Sequence, residues 1–265
     1  MIGFIIKYVK KFDQLLVGLT MKLIPFRYGT KNVIHPKHLF DQDRNNYLRD
    51  VINRLNKTGF EFLDLGCGAG SDLLLAIRNG ATKVVGIEYL ESSRLIATQR
   101  LEDIDANFDV LNVDLENALL PIENQSIDLV NFTNVLEHLH NRENVLKEMS
   151  RVMTADGLAV VSIPNQDTPW KKLQRRYGID SRDDTDHKVE YSKETIQIEL
   201  AAAGLQIVSP YEVIVPSLPI HGILCLLSLI GPKPYIAGQN FKRRFVLKNT
   251  KHSIGWIFLV QKTTA

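Results

Sequence analysis

The sequence predicts a doubly wound α/β sandwich, a parallel sheet with crossover helices on both faces. Strand-like and helix-like segments alternate from residue 60 to residue 203, the first strand empties into a glycine-rich turn, and the acid Glu88 closes the second strand. The chain has 265 residues, 45% of them hydrophobic and 23% charged, enough for one core of domain size with extensions. Its 10 prolines and 16 glycines are ordinary, and no repeat or low-complexity stretch interrupts it.

Ile2, Ile5, Ile6, Val9, Phe12, Leu16, Leu19 and Leu23 recur at helical spacing among Lys7, Lys10, Lys11 and Gln14, so an amphipathic helix is expected up to Pro25. A second helix is expected over about Leu39–Asn56. Phe60–Leu65, Lys83–Glu88, Phe108–Val113, Ile127–Phe132 and Leu158–Ile163 read as buried strands. Leu73–Asn79, Glu91–Asp105, Glu143–Met153 and Lys193–Ala203 read as the helices between and after them. Asn165–Tyr191 reads as a long irregular loop beginning at the carboxyl end of the fifth strand, where such sheets bind ligands. Leu205–Val215 and Ile254–Gln261 are two more β-rich segments, separated by an apolar helix, Ile220–Ile230, and the basic run Lys242-Arg243-Arg244. Residues 1–57 are accordingly expected as an N-terminal amphipathic and helical cap, and 58–265 as the main α/β domain, with an insertion at about 215–253.

Charge is unevenly spread beneath a net value of +2. Residues 1–27 carry five Lys/Arg and one acid, residues 213–265 carry seven and none, and the remainder holds 20 basic and 29 acidic side chains. An acidic body does not suit nucleic acid; basic, apolar ends suit an anionic membrane surface. No segment is expected to span a bilayer: Ile220–Ile230 would be only about 16 Å long. The two cysteines, Cys67 and Cys225, suggest no disulfide framework and favour a reducing compartment, so a cytoplasmic protein is expected, peripheral at the inner face of the membrane if its ends bind there.

The sharpest chemical signal is Asp64-Leu-Gly-Cys-Gly-Ala-Gly70, a strand opening through glycines into a helix. Glycine lets the backbone turn tightly and approach a ligand, and the helix N-terminus offers free N–H groups. Glu88 stands where a carboxylate can accept from both hydroxyls of an adenosine ribose. By spacing alone an NAD-binding domain competes. The acid at position 64, two residues before the first glycine, would repel a pyrophosphate but suits a cationic ammonium. The absence of Gly-Lys-Ser/Thr after the loop excludes a P-loop.

With Gly86-Ile-Glu88, Val113-Asp-Leu115, Val135-Leu-Glu-His138, Leu146–Val152 and Asp156-Gly-Leu, this loop resembles the class I S-adenosylmethionine (SAM)-dependent methyltransferases over about residues 40–210. The resemblance implies a seven-stranded, mostly parallel Rossmann-like sheet with a reversed last strand. It implies that Asp64, Gly66, Gly68 and Gly70 surround the methionine part of SAM, that Glu88 holds its ribose, and that Asp114 and Leu115 meet its adenine. Within the superfamily the chain looks nearest to ubiquinone-type O-methyltransferases and bacterial methyltransferases of lipids and glycans, through Arg44-Asn-Asn-Tyr-Leu48 and Thr133-Asn-Val-Leu-Glu-His138. Arg44 would then pair with a carboxylate, and Thr133 would contact the cofactor. Some of those families carry two glutamates and a histidine as metal ligands here. Asn134 replaces the first glutamate, so no metal is expected. An oxygen acceptor requires a base, for which His187 and His138 are the candidates. The expected activity is methyl transfer to an oxygen of a small, lipid-linked or glycan acceptor. An NAD-dependent oxidoreductase and a non-catalytic SAM-binding scaffold are the alternatives; the oligomeric state is left open.

Overall fold

The computed structural model describes residues 1–29, 43–55, 57, 59–210, 212–213 and 221–263, and it divides into two compact units. Residues 45–164, 186–212 and 257–265 form the sheet unit; residues 1–44, 165–185 and 213–256 form the helical unit.

In the sheet unit, helix α2 (Asp43–Leu55) precedes strand β1 (Phe60–Leu65). Then come α3 (Ser71–Arg78), β2 (Ala81–Ile87), α4 (Glu91–Leu101), β3 (Asn107–Leu111), β4 (Ile127–Thr133), α5 (Arg142–Val152) and β5 (Met153–Pro164). The strand order is β3-β2-β1-β4-β5-β8-β6, completed by β6 (Leu205–Ile207), β8 (Gly255–Lys262) and helix α7 (Lys193–Ala202), with a two-residue strand, β7 (Glu212–Val213), pairing off the path with β8. β1 pairs in parallel with β2 and β4, and β5 in parallel with β4, whereas β8 runs antiparallel to β6. The expected reversed last strand is therefore present. The strand order reverses between β1 and β4, the place where sheets of this kind take a ligand at the carboxyl ends of their strands.

The central strands are apolar because both faces are covered: Phe62, Leu63, Leu65, Val84, Leu129, Val130, Val160 and Val161 are all buried. Leu48, Val51 and Ile52 of α2 with Leu73, Ala76, Ala97 and Leu101 of α3 and α4 cover one face. Near the carboxyl ends the register sets Asp64 opposite both Gly86 and Asn131, so polar groups gather where the apolar strands stop.

The helical unit contains α1 (Ile2–Tyr28), α6 (Pro169–Arg176), α8 (His221–Ile230) and α9 (Pro232–Lys248) among its described residues. Helix α1 does not stop at Pro25. The proline sits in the last turn, where its missing N–H removes a single hydrogen bond, and the helix closes at Gly29 (φ 63°), whose N–H reaches the Pro25 carbonyl. α1 packs on α8 closely enough that a Cβ on Gly222 would lie 2.4 Å from the Asp13 carbonyl oxygen, and the Asp13 carboxylate accepts from the Gly222 N–H at 2.7 Å. Residues 165–191 are not wholly irregular: α6 starts at Thr168, whose hydroxyl accepts from the Lys171 N–H. Its inner face is polar, with Lys171 only 1% exposed and paired with Asp183 at 2.6 Å. The part of the expected Leu205–Val215 strand beyond Val213, and Ile220 at the start of the apolar helix, lie outside the described residues.

Candidate functional site

The turn after β1 is held by Ile87, whose carbonyl accepts from the N–H groups of both Gly66 and Cys67 at 2.8 and 2.9 Å. Gly66, Gly68 and Gly70 all have positive φ, at 77°, 53° and 74°. Their reasons differ. A Cβ on Gly66 would strike Val135 Cγ2 at 2.3 Å, and one on Gly70 would press on Ala97 at 3.0 Å, so these two permit close packing. A Cβ on Gly68 would meet nothing within 4 Å, leaving backbone open to a ligand.

Glu88 follows β2 and grips this loop. One carboxylate oxygen accepts from the Gly68 N–H at 2.9 Å and the other from the Leu90 N–H at 2.7 Å. Asn112 steadies the same corner by donating to the Tyr89 carbonyl at 2.8 Å. Tyr89 projects from it, 67% exposed.

Asp64 lies beneath, 3% exposed, accepting from Asn131 Nδ2 at 2.8 Å; that amide also lies 3.3 Å from an Asp72 oxygen and 3.5 Å from Thr133 Oγ1. Burial, reinforced by the Asp72 charge, pushes the Asp64 carboxyl well above the usual carboxylate range, against the Asn131 hydrogen bond; Glu88 adds a smaller push in the same direction. Burial first, and then the Asp64 and Glu88 charges, push the Cys67 thiol up as well. A corner with three carboxylates, Asp64, Asp72 and Glu88, suits a cationic ligand rather than a pyrophosphate. An open glycine face, a loop-held carboxylate just after β2 and this negative field fit SAM, a sulfonium amino acid joined to adenosine.

Asp114 accepts from the Glu116 N–H at 2.9 Å and from Asn117 Nδ2 at 2.8 Å, and Leu115 is buried beside it, just past β3. Arg44 falls in the first turn of α2, and its side chain lies outside the described residues. Sequence reasoning missed Asn131 and Asp72. A lone amide in the otherwise apolar end of Ile127-Asp-Leu-Val-Asn-Phe was the available signal for Asn131.

A second cluster forms after β4. A 3₁₀ turn, Leu136–His138, presents Glu137 and His138, and the segment 186–190 returns to it through Lys188 and Val189 N–H groups donating to the Glu137 carbonyl at 2.7 and 3.3 Å. This brings together the two histidines expected as bases. Their rings meet edge to face with centroids 4.9 Å apart. His138 Nδ1 lies 3.2 Å from Asp186, and His187 Nδ1 lies 3.4 Å from Glu190. A carboxylate beside one nitrogen of each ring orients that ring, an arrangement that suits a base or a metal ligand equally. One ligand atom from each of Glu137, His138 and His187 lies within 4.8 Å of the others, so the three could hold a divalent cation.

A family model for a methyltransferase domain matches residues 40–210, the span that holds both clusters. The chain belongs to the methyltransferase domain family. That membership sets aside the dinucleotide alternative. A Mycobacterium tuberculosis protein named as a probable SAM-dependent methyltransferase is 31% identical over 113 residues, 42% of this chain and 38% of its own. The mitochondrial ubiquinone biosynthesis O-methyltransferase of Dictyostelium discoideum is 25% identical over 158 residues, 52% of this chain and 49% of its own. The chain thus spans less than half the length of these methyltransferase relatives. Among solved structures, the [4+2]-cyclase SpnF superposes with a TM-score of 0.62 at 18% identity, covering 97% of each chain, a likeness of fold alone.

Proposed function

We propose that this methyltransferase-family chain transfers the methyl group of SAM to an oxygen of a small, lipid-linked or glycan acceptor. The observation that carries the reading is the pair of carboxylate-held histidines, His138 and His187, at the end of the segment after β4. When bound, SAM supplies an electrophilic methyl on a positively charged sulfur. Asp64, Asp72 and the glycine loop would hold its cationic end, and Glu88 would accept from its ribose. Asp114, Leu115 and Thr133 would complete the cofactor contacts. A ring nitrogen of His187 or His138 would take the proton of the acceptor hydroxyl as that oxygen took the methyl carbon from sulfur, so charge would balance without a further reactant. Asp186 and Glu190 hold the resulting imidazolium.

Methyl-labelled SAM incubated with the protein and a cell lysate tests this. Label in the organic phase supports a lipid-linked acceptor, label in the aqueous phase alone points to a soluble glycan or metabolite, and no label with intact cofactor binding favours a scaffold without turnover. His187→Asn is expected to lower kcat by roughly 10²-fold or more with little change in cofactor affinity.

The meeting of Glu137, His138 and His187 favours a second reading, in which a divalent cation polarises the acceptor oxygen. Titration of Mg²⁺ or Zn²⁺ alone into the protein and into Glu137→Gln separates the two. Saturable heat lost in the variant supports the cation, and its absence returns both histidines to acid–base work.

A further inference from the structure

Helix α1 is apolar on two faces. Ile6 and Ile24, 5% and 0% exposed, lie on the inner one, where Asp13 and Gly222 join α1 to α8. The outer face carries Phe4, Tyr8, Phe12, Leu15, Leu19 and Phe26, exposed by 64, 56, 57, 66, 45 and 88%. At 100° per residue these six fall within an arc of about 80°, a single stripe along a helix roughly 40 Å long. On the same count, exposed Lys7, Lys11 and Lys22 run along one margin of the stripe and Arg27 lies at the other.

The charges decide what covers the stripe. Asp13, the one acid among residues 1–27, faces Gly222 instead. A second copy laid on this face would bring lysine margins together with no carboxylate between them. An anionic lipid surface takes the large aromatic and leucine side chains at the depth of its headgroups and meets the lysines with phosphate. Arg243, Arg244 and Lys248 add exposed positive charge on α9 of the same unit, while Lys242, 2% exposed and 3.2 Å from His221 Nδ1, belongs to its interior.

We propose that the outer face of α1 is an interfacial membrane-binding surface selective for anionic lipid; its purpose, though not its chemistry, rests on the lipid-linked acceptor reading. The whole chain is co-sedimented at low salt with vesicles of phosphatidylcholine alone and with 30% phosphatidylglycerol. Binding is expected on the anionic vesicles, at least roughly tenfold weaker on the neutral ones, and lost at high salt. Phe12→Glu/Leu15→Glu changes two exposed side chains, so its thermal midpoint stays near that of the unaltered chain while vesicle binding falls roughly tenfold or more. Lys7→Glu/Lys11→Glu lowers binding to anionic vesicles only. Failure to pellet, equal binding to neutral vesicles, or a dimer that Phe12→Glu/Leu15→Glu dissociates would each overturn the proposal. S-adenosylhomocysteine affinity and label transfer, measured without vesicles, report on the enzymatic reading separately.

Discussion

At the scale of single residues, the cofactor corner trades stability for charge. Asp64 is buried among carboxylates, and its raised folded-state proton affinity means that ionising it disfavours the fold. The sign follows: stability from this group is full below the ordinary aspartate range near 3.8 and is lost as pH rises through the higher folded value. Asp64→Asn is therefore expected to raise the thermal midpoint at neutral pH and to weaken SAM binding, a split that calorimetric melting and ligand titration would read. A cationic ligand draws Asp64 to its ionised form, so binding should release protons, visible as a dependence of binding heat on buffer. Glu88→Ala removes two loop hydrogen bonds and, on the proposed reading, the ribose acceptor, so S-adenosylhomocysteine affinity should fall well over tenfold; unchanged affinity would overturn the assignment. The motif made the glycines at 66, 68 and 70 legible, because the backbone takes positive φ there, and it placed Asp64 near the end of β1 and Glu88 just after β2, where the structure has them. Asn131 and Asp72 were not legible as site residues, since only the strand register and the α3 turn bring them to Asp64.

At the scale of elements, strands and their crossover helices were readable wherever apolar side chains set the period. β1 occupies the expected Phe60–Leu65, and α7 starts at the expected Lys193. Helix α6 was unreadable because its buried residues are Lys171 and Gln174, a face that hydropathy scores as surface. Helix α9 was hidden by Pro232, Pro234 and Gly238, which look like breakers. The prolines fall in the first turn, where a missing N–H costs little, and Gly238 faces α8, where a Cβ would meet Leu224 at 3.1 Å. The faces of α1 could not be assigned from sequence, because a helix apolar nearly all round does not say which side is covered. The packing of α1 on α8 depends on the missing side chain of Gly222. Gly222→Ala should separate the pair, destabilise the helical unit by roughly 1–3 kcal/mol and open residues 1–29 to limited proteolysis.

At the scale of the whole molecule, ligand and fold are linked by mass action. S-adenosylhomocysteine at a hundred times its dissociation constant should add about 2.7 kcal/mol, a rise of roughly 5–10 °C in a chain of this size, whereas NADH should leave the midpoint unchanged. Among the described residues no helix is long and apolar enough to cross a membrane. The strand order carries one more consequence, for the making of the protein. β8 lies between β5 and β6 although it follows both in the chain. While the ribosome adds the roughly 50 residues after β6, about 3–10 s at ordinary elongation rates, β5 keeps an open edge and β6 has no neighbour. The sheet of a nascent chain is complete only when its final strand slides into the gap, and a message cut short before residue 255 would yield a product with that edge exposed for good.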